Sequence, residues 1–128
     1  MISLLHPVRV FLHAPPTDLR KGFDALSGLV TTAFDQDPTS GHLFLFVNRR
    51  RDRVKILYWD RDGLAIWYKR LETGSFQLPA AARDAMSIEM SSTQLALILS
   101  GVDLRSARQR KRYQRPRPEI EKSASAPL

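Results

Sequence analysis

The chain has 128 residues, of which 43% are hydrophobic and 26% charged, a composition typical of one globular domain with a modest core. It contains no cysteine, which excludes a disulfide framework and thiol-based zinc or catalytic chemistry. The longest strongly apolar run is 43–47, and the first residues lack the charged start and unbroken apolar stretch of a secretory signal. We therefore expect a cytoplasmic protein with no membrane segment and no cofactor.

The net charge of +7 is concentrated near the C-terminus, where residues 102–128 hold eight basic and three acidic side chains. Apolar residues become sparse in the same segment, while arginine, proline and serine dominate. We predict a folded domain over 1–101 and a basic, mainly disordered tail over 102–128. A basic tail favours anionic partners such as nucleic acid. Its candidate contacts are Arg108, Arg110, Lys111 and Arg112.

The first half of the domain is predicted to form a strand followed by a helix. Residues 8–13 are β-branched and aromatic, and Ala14-Pro15-Pro16 ends that run. Thr17 or Asp18 can then cap a helix over 18–34. The apolar residues of this segment follow helical spacing, which predicts a face that packs on a sheet. They are Leu19, Phe23, Leu26, Val30, Ala33 and Phe34.

Three strand-like runs follow, at 42–48, 53–59 and 64–71, joined by connections of hairpin length. They predict an antiparallel meander with one face on the helix and the other partly aromatic and basic. A short pairing at 75–78, a strand at 86–90 and a helix capped by Ser91 or Ser92 and ended at Ser100-Gly101 complete the chain. The predicted class is α+β, an antiparallel β-meander of about four to five strands on one main helix, plus a short C-terminal helix.

The most informative local feature is the first hairpin connection, which contains Arg49, Arg50, Arg51 and Arg53, followed by Lys55. Guanidinium groups form forked, charge-assisted hydrogen bonds to phosphate, and a two-stranded ribbon fits the DNA major groove. We interpret these residues as candidate phosphate contacts. The alternative is a solvated turn partly neutralised by Asp52, Asp60 and Asp62.

A second candidate site lies at the predicted start of the first helix. Arg20 and Lys21 are unfavourable in a first turn because of the helix dipole, and Gly22 lowers helix propensity. One interpretation is that Arg20, Lys21 and nearby amides meet an anion, while Gly22 lets another backbone approach. The other is a later helix start with tight packing at Gly22.

Aromatic and basic residues alternate in the second and third runs of the meander. Tyr58, Trp59, Trp67 and Tyr68 interleave with Lys55, Lys69 and Arg70. This pattern is consistent with a surface for base stacking or cation–π contacts, but such rings more often belong to the core of a sheet, and we favour the core for these four.

Asp60 and Asp62 suggest a pair of metal ligands, as used in nucleases. The sequence Asp-Arg-Asp-Gly between two strands is, however, typical turn chemistry, and no motif supplies a third carboxylate. His6, His13 and His42 are scattered along the chain. We therefore predict no metal site and no catalytic residues.

Four segments together resemble the TnpB accessory proteins of the insertion sequence 66 (IS66) family, the product of the second open reading frame of those bacterial elements. They are PTDLRKGFDAL at 16–26, GHLFLFVNRRRDRVKILYWD at 41–60, WYKRLE at 67–72 and QLALILSGVD at 94–103. The resemblance covers most of residues 7–103 in order. It implies a role in DNA transposition beside a separate transposase, which cuts the strands.

The leading hypothesis is a non-catalytic accessory protein that binds DNA, at the element ends or in the transposase–DNA complex, and is associated with the nucleoid when bound. The alternative is an adaptor that binds the transposase itself through the aromatic face. A third hypothesis is a small nuclease that uses Asp60 and Asp62. The sequence carries no information on the oligomeric state.

Overall fold

A computed structural model describes residues 7–83 and 85–101, which form a five-stranded sheet with helices on both faces. The regular elements are β1 (Val10–His13), α1 (Phe23–Phe34), β2 (Leu43–Val47), β3 (Arg53–Asp60), β4 (Gly63–Arg70), a 3-10 turn (Ala80–Arg83), β5 (Ser87–Met90) and α2 (Ser92–Ser100). The α+β class is therefore confirmed. The predicted domain boundary at residue 101 and the disordered tail concern residues 102–128, which lie outside the described residues.

The strands are arranged in the order β4-β3-β2-β1-β5, and the predicted antiparallel meander is present as β2, β3 and β4. β5 also pairs antiparallel with β1. β1 and β2, however, are parallel, because α1 connects them as a crossover and brings the chain back to the same end of the sheet. The sheet is mixed, and the prediction of a purely antiparallel arrangement was wrong at this pair.

One face of the sheet packs on α1 through an aromatic core. Phe11 stacks on Phe44 with ring centroids 5.5 Å apart, and Phe34 of α1 contacts both rings. The cluster consists of Phe11, Leu19, Leu26, Val30, Phe34, Phe44, Phe46 and Leu57.

The opposite face is covered by α2 and by the segment after β4. Phe76, Leu78 and Ala82 pack there with Leu95 and Ile98 of α2. The face predicted to stay partly aromatic and basic is therefore mostly buried, and only its β4 side remains exposed. The brief edge pairing predicted for 75–78 is wrong, because this segment packs on the face and forms no strand.

The helix predicted over 18–34 begins at Phe23, and neither Thr17 nor Asp18 caps it. Gly22 occupies the N-cap position without a side-chain hydrogen bond. The second helix agrees with the prediction. Ser91 caps α2 in a reciprocal pair with Gln94, and Gly101 ends it with φ +92°. No helix in the described part of the chain is long and apolar enough to cross a membrane.

Candidate nucleic-acid interface

The arginine-rich connection between β2 and β3 is held in shape by the Asn48 side chain. Its Oδ1 accepts hydrogen bonds from the backbone N–H groups of Asp52 (3.1 Å) and Arg53 (3.0 Å), and its Nδ2 donates to Asp52 Oδ1 (2.6 Å). Arg51 completes the turn with φ +58°, in the left-handed region. A turn fixed by side-chain bonds on both sides displays its arginines from a defined backbone.

The hairpin tip is also anchored from outside. The carbonyl of Arg51 accepts from the Phe76 N–H at 2.6 Å, and the carbonyl of Asp52 accepts from the Leu71 N–H at 2.7 Å. Phe76 is buried in the core cluster under α2. The position of the arginines is thus tied to the core of the domain.

The hairpin arginines keep their charge available to a ligand. Arg49, Arg50 and Arg51 are exposed, and within residues 7–83 and 85–101 none of them forms an ion pair. Arg53 makes one weak contact, from its Nη1 to the Tyr68 hydroxyl at 3.5 Å. Among the described residues, no ion pair joins the turn aspartates to these arginines. Asp52 is bonded to Asn48, whereas Asp60 is the last residue of β3 and Asp62 follows it, at the end of the strand opposite the arginine turn.

The segment before α1 forms a second wall opposite the hairpin. It is fixed by burial of Leu19 in the aromatic core and by the Thr17 N–H, which donates to the Val47 carbonyl at 2.7 Å. Thr17 is only 7% exposed, and its Oγ1 has no hydrogen-bond partner among the described residues.

Arg20 already has an anionic partner in this segment. Its guanidinium donates to both oxygens of Asp18, with the shortest contact at 2.6 Å. These hydrogen bonds hold the pKa of the Asp18 carboxyl well below its usual range. The pair is exposed, and we assign it little weight in stability.

Arg20 and Lys21 precede α1 and do not occupy its first turn, so the predicted conflict with the helix dipole is removed. The later helix start is confirmed, while a contact of Arg20 and Lys21 with an anion stays a prediction. Both suggestions of close packing at Gly22 were wrong, because a Cβ placed there meets no atom within 4 Å.

Lys55 joins β3 to the same segment. Its Nζ donates to the Lys21 carbonyl at 2.9 Å and lies 4.9 Å from the centroid of the Tyr68 ring. Lys55 is therefore already engaged inside the protein, where it connects β3 to the segment before α1.

An open cleft of about 440 Å³ lies between the two walls. It brings together arginines from segments almost thirty residues apart in sequence, with one acidic residue among them. The lining consists of Pro16, Thr17, Asp18, Leu19, Arg20, Asn48, Arg49, Arg50, Arg53 and Tyr68.

The remaining candidates within the domain lie outside this cleft. Arg51 and Lys21 are exposed nearby but do not line it. Lys69 pairs in register with Val54, whose side chain is buried under α2, so Lys69 belongs to the other face of the sheet. Arg70 is bound to Glu72 at 2.9 Å. The tail candidates Arg108, Arg110, Lys111 and Arg112 lie outside the described residues.

Two of the four aromatic residues predicted for the core of the sheet are exposed. Trp67 and Tyr68 retain 40% and 48% of their accessible surface, whereas Tyr58 and Trp59 are partly buried. A core role is wrong for Trp67 and Tyr68. Sequence reasoning also missed that Thr17 and Tyr68 share a cleft with the arginines. The alternation of β3 and β4 could have placed Tyr68 beside Lys55, but no local signal brings residues 16–20 to the same place.

Asp60 and Asp62 lie at the turn between β3 and β4. Among the residues described, no group of three histidine or acidic side chains is arranged to hold a metal ion.

Comparison with known proteins gives a family match over most of the chain. The family described as IS66 Orf2 like protein matches residues 8–109. Two relatives from Sinorhizobium fredii are similar over most of their length. The uncharacterized protein y4jC is 34% identical over 103 residues, covering 80% of this chain and 86% of its own. The uncharacterized protein y4hO is 37% identical over 98 residues, covering 77% and 84%. No solved structure matches the chain significantly.

Proposed function

Since the chain belongs to the IS66 Orf2-like family of transposition accessory proteins, we propose that it serves transposition by binding DNA through the cleft arginines. Its ligand is an element end, free or held by the transposase. The transposase supplies the strand-cutting chemistry, and this protein itself is non-catalytic.

The observation that carries the proposal is the convergence of arginines from two segments on one cleft. Among the described residues, Arg49 and Arg50 form no ion pair, and the Arg53 guanidinium makes one weak contact, with the Tyr68 hydroxyl. Unpaired, like-charged guanidinium groups on a fixed turn repel one another, and an anion relieves that repulsion. Phosphate fits best, because its oxygens accept forked hydrogen bonds from guanidinium.

The tail adds a second, less specific contribution. Its eight basic residues supply much of the net charge of the chain. Such charge increases affinity for any nucleic acid and makes it sensitive to salt. We assign the orientation of the DNA to the cleft and the bulk attraction to the tail.

The test compares two charge-matched double variants of the full chain. Arg49→Ala with Arg50→Ala removes two cleft cations, while Arg61→Ala with Arg83→Ala removes two exposed cations outside the cleft. The affinity for DNA is measured across a salt series. The cleft variant should lose affinity and reduce the slope of log affinity against log salt by up to about 0.7–0.9 for each lost phosphate contact.

The control variant should retain most of the affinity and nearly the full slope. An identical loss in both variants, with intact folding by circular dichroism, would show that the binding depends on net charge alone and would contradict the assignment to the cleft.

A second candidate function is an adaptor that binds the transposase. Exposed Trp67 favours it, because it lies on β4, an edge strand of the described sheet, on the face away from the cleft. Tryptophan is enriched at the centres of protein interfaces. If this function is the correct one, transposase co-purifies with the chain after nuclease treatment, Trp67→Ser abolishes that association, and the cleft variant leaves it intact.

A further inference from the structure

We infer that the cleft accommodates one unpaired nucleotide, with its phosphate on Arg49 and Arg50 and its base on the Tyr68 ring, so that the protein prefers single-stranded to duplex DNA. This inference rests on the proposed function and specifies its ligand. It assigns Tyr68 a direct contact with the base.

The Tyr68 ring is presented as a fixed platform. Tyr68 lies directly opposite Lys55 in the β3–β4 register, and Lys55 Nζ is 4.9 Å from the ring centroid. The hydroxyl is contacted by Arg53 at 3.5 Å. One ring face is thus engaged by Lys55, while the residue as a whole retains 48% of its accessible surface and lines the cleft. An aromatic ring held in this way by a strand matches the stacking platforms of single-strand binding proteins.

The size of the cleft suits a single nucleotide. Its volume of about 440 Å³ lies within the range of roughly 300–1,000 Å³ of pockets that enclose small organic ligands. A base inside a duplex has both faces covered by its neighbours. A stacking contact with Tyr68 therefore requires a base that is unpaired or extruded from the helix.

The phosphate is expected to bind on the hairpin side of the cleft. Arg20 on the opposite wall is occupied by Asp18, whose carboxylate repels a second phosphate. Arg49 and Arg50 have no such partner in the described part of the chain. Thr17 also lines the cleft, and its buried hydroxyl has no hydrogen-bond partner among the described residues. The cleft is thus basic on one side, aromatic at Tyr68 and neutral overall on the other side.

The experiment measures the affinity of the full chain for an unstructured single strand and for the blunt duplex formed with its complement. Tyr68→Leu removes the ring, and Tyr68→Phe keeps the ring but removes the hydroxyl. Phe23→Leu is the matched control, because Phe23 is an aromatic residue with 49% exposure that does not line the cleft. Thermal unfolding confirms that each variant is folded.

We expect tighter binding to the single strand than to the duplex. Tyr68→Leu should weaken single-strand binding by about 5- to 150-fold, the effect of losing one stacked base, and leave duplex binding unchanged. Tyr68→Phe should retain the preference for the single strand, and Phe23→Leu should behave as the unmodified chain.

The measurement separates a lack of DNA binding from a lack of preference for the single strand. Absence of binding to either DNA at low salt overturns the proposed function and this inference with it. Equal binding to both DNAs without a response to Tyr68→Leu leaves DNA binding standing and overturns the nucleotide cleft. Equal losses in Tyr68→Leu and Phe23→Leu also overturn it, because the effect would then not belong to the cleft.

Discussion

At the scale of single residues, Arg51 combines an unfavourable backbone conformation with a position just outside the cleft. Its φ of +58° places a side chain with a Cβ in the left-handed region, which costs about 1–2 kcal/mol compared with glycine. Arg61, at the β3–β4 turn, has a φ of +60°. Two arginines of the described chain therefore share this backbone strain, one beside the candidate interface and one away from it.

Because Arg51 and Arg61 share the same backbone conformation, comparing them separates an effect on stability from an effect on DNA binding. We expect Arg51→Gly and Arg61→Gly each to raise the free energy of unfolding by about 0.5–1 kcal/mol, the relief of strain minus the extra chain entropy of glycine. Urea unfolding measures this gain. Arg51 does not line the cleft, so DNA affinity in both variants should fall only by the general effect of one lost charge. A much larger loss in Arg51→Gly alone would place Arg51 in direct contact with the DNA.

The sequence predicted the arginine cluster because composition and turn chemistry are local properties. It could not decide the partner of Arg20 or the exposure of Tyr68. The first depends on where α1 begins, and the second depends on β4 being a strand at the edge of the described sheet. Exposure of a strand residue is set by what lies over it, which alternation alone does not determine.

At the scale of elements, the start of α2 is set by neighbouring residues, whereas the start of α1 is set by residues distant in the sequence. Ser91 and Gln94 form a capping pair within three residues, and this start was predicted correctly. α1 begins late because distant contacts hold the preceding segment as a loop: the Thr17 N–H bonds to Val47, and the Lys21 carbonyl accepts from Lys55. These contacts join residues about thirty positions apart, so local capping signals at Thr17 and Asp18 gave the wrong boundary.

The hairpin element yields a second prediction with a matched control. Asn48→Ala removes the side-chain bonds that shape the arginine turn and should cost about 1–3 kcal/mol of stability. Ser91→Ala removes the cap of α2, with a comparable cost of about 0.5–2 kcal/mol. Only Asn48→Ala should also weaken DNA binding, because it frees the arginines from their fixed positions. Equal DNA affinities in the two folded variants would contradict the role of turn rigidity.

At the scale of the whole molecule, the parallel pairing of β1 with β2 brings residues 16–20 beside the hairpin. The chain leaves β1, forms the first wall of the cleft, passes through α1 and returns along β2 to the arginine turn. Strand signals in the sequence were sufficient for the meander, but the direction of pairing between β1 and β2 has no local signature. The cleft is a consequence of topology, and for this reason its composition could not be read from the sequence.

The buried histidine makes the stability of the whole fold depend on pH. Burial lowers the pKa of His13, which packs between the rings of Phe34 and Phe46, and burial also lowers the pKa of His42. The unfolded chain then binds more protons than the folded one as pH falls below about 6.5, so stability decreases on acidification.

Exposed carboxylates shift stability in the same direction at lower pH. The pKa of Glu89 is lowered by the hydrogen bond from Arg9, and the stability this pair contributes is lost as pH falls through the acidic range. We expect the free energy of unfolding to be greatest above about pH 6.5. His13→Leu should reduce the slope of the free energy of unfolding against pH between about pH 5 and 6.5. The reduction should be smaller than about 1.4 kcal/mol per pH unit, which is the limit for the uptake of one proton. An unchanged slope in chemical unfolding across this range would show that His13 titrates as it does in the unfolded chain.

If the arginines of the cleft contact DNA, bound DNA should protect them from chemical modification, which can be measured at each arginine separately. The full chain is treated with phenylglyoxal, free and saturated with DNA, and the modified positions are read by mass spectrometry. We expect DNA to protect Arg49, Arg50 and Arg53, while Arg61 and Arg83 react as they do in the free protein. Reaction of Arg49, Arg50 and Arg53 at the free rate in the saturated complex would contradict it.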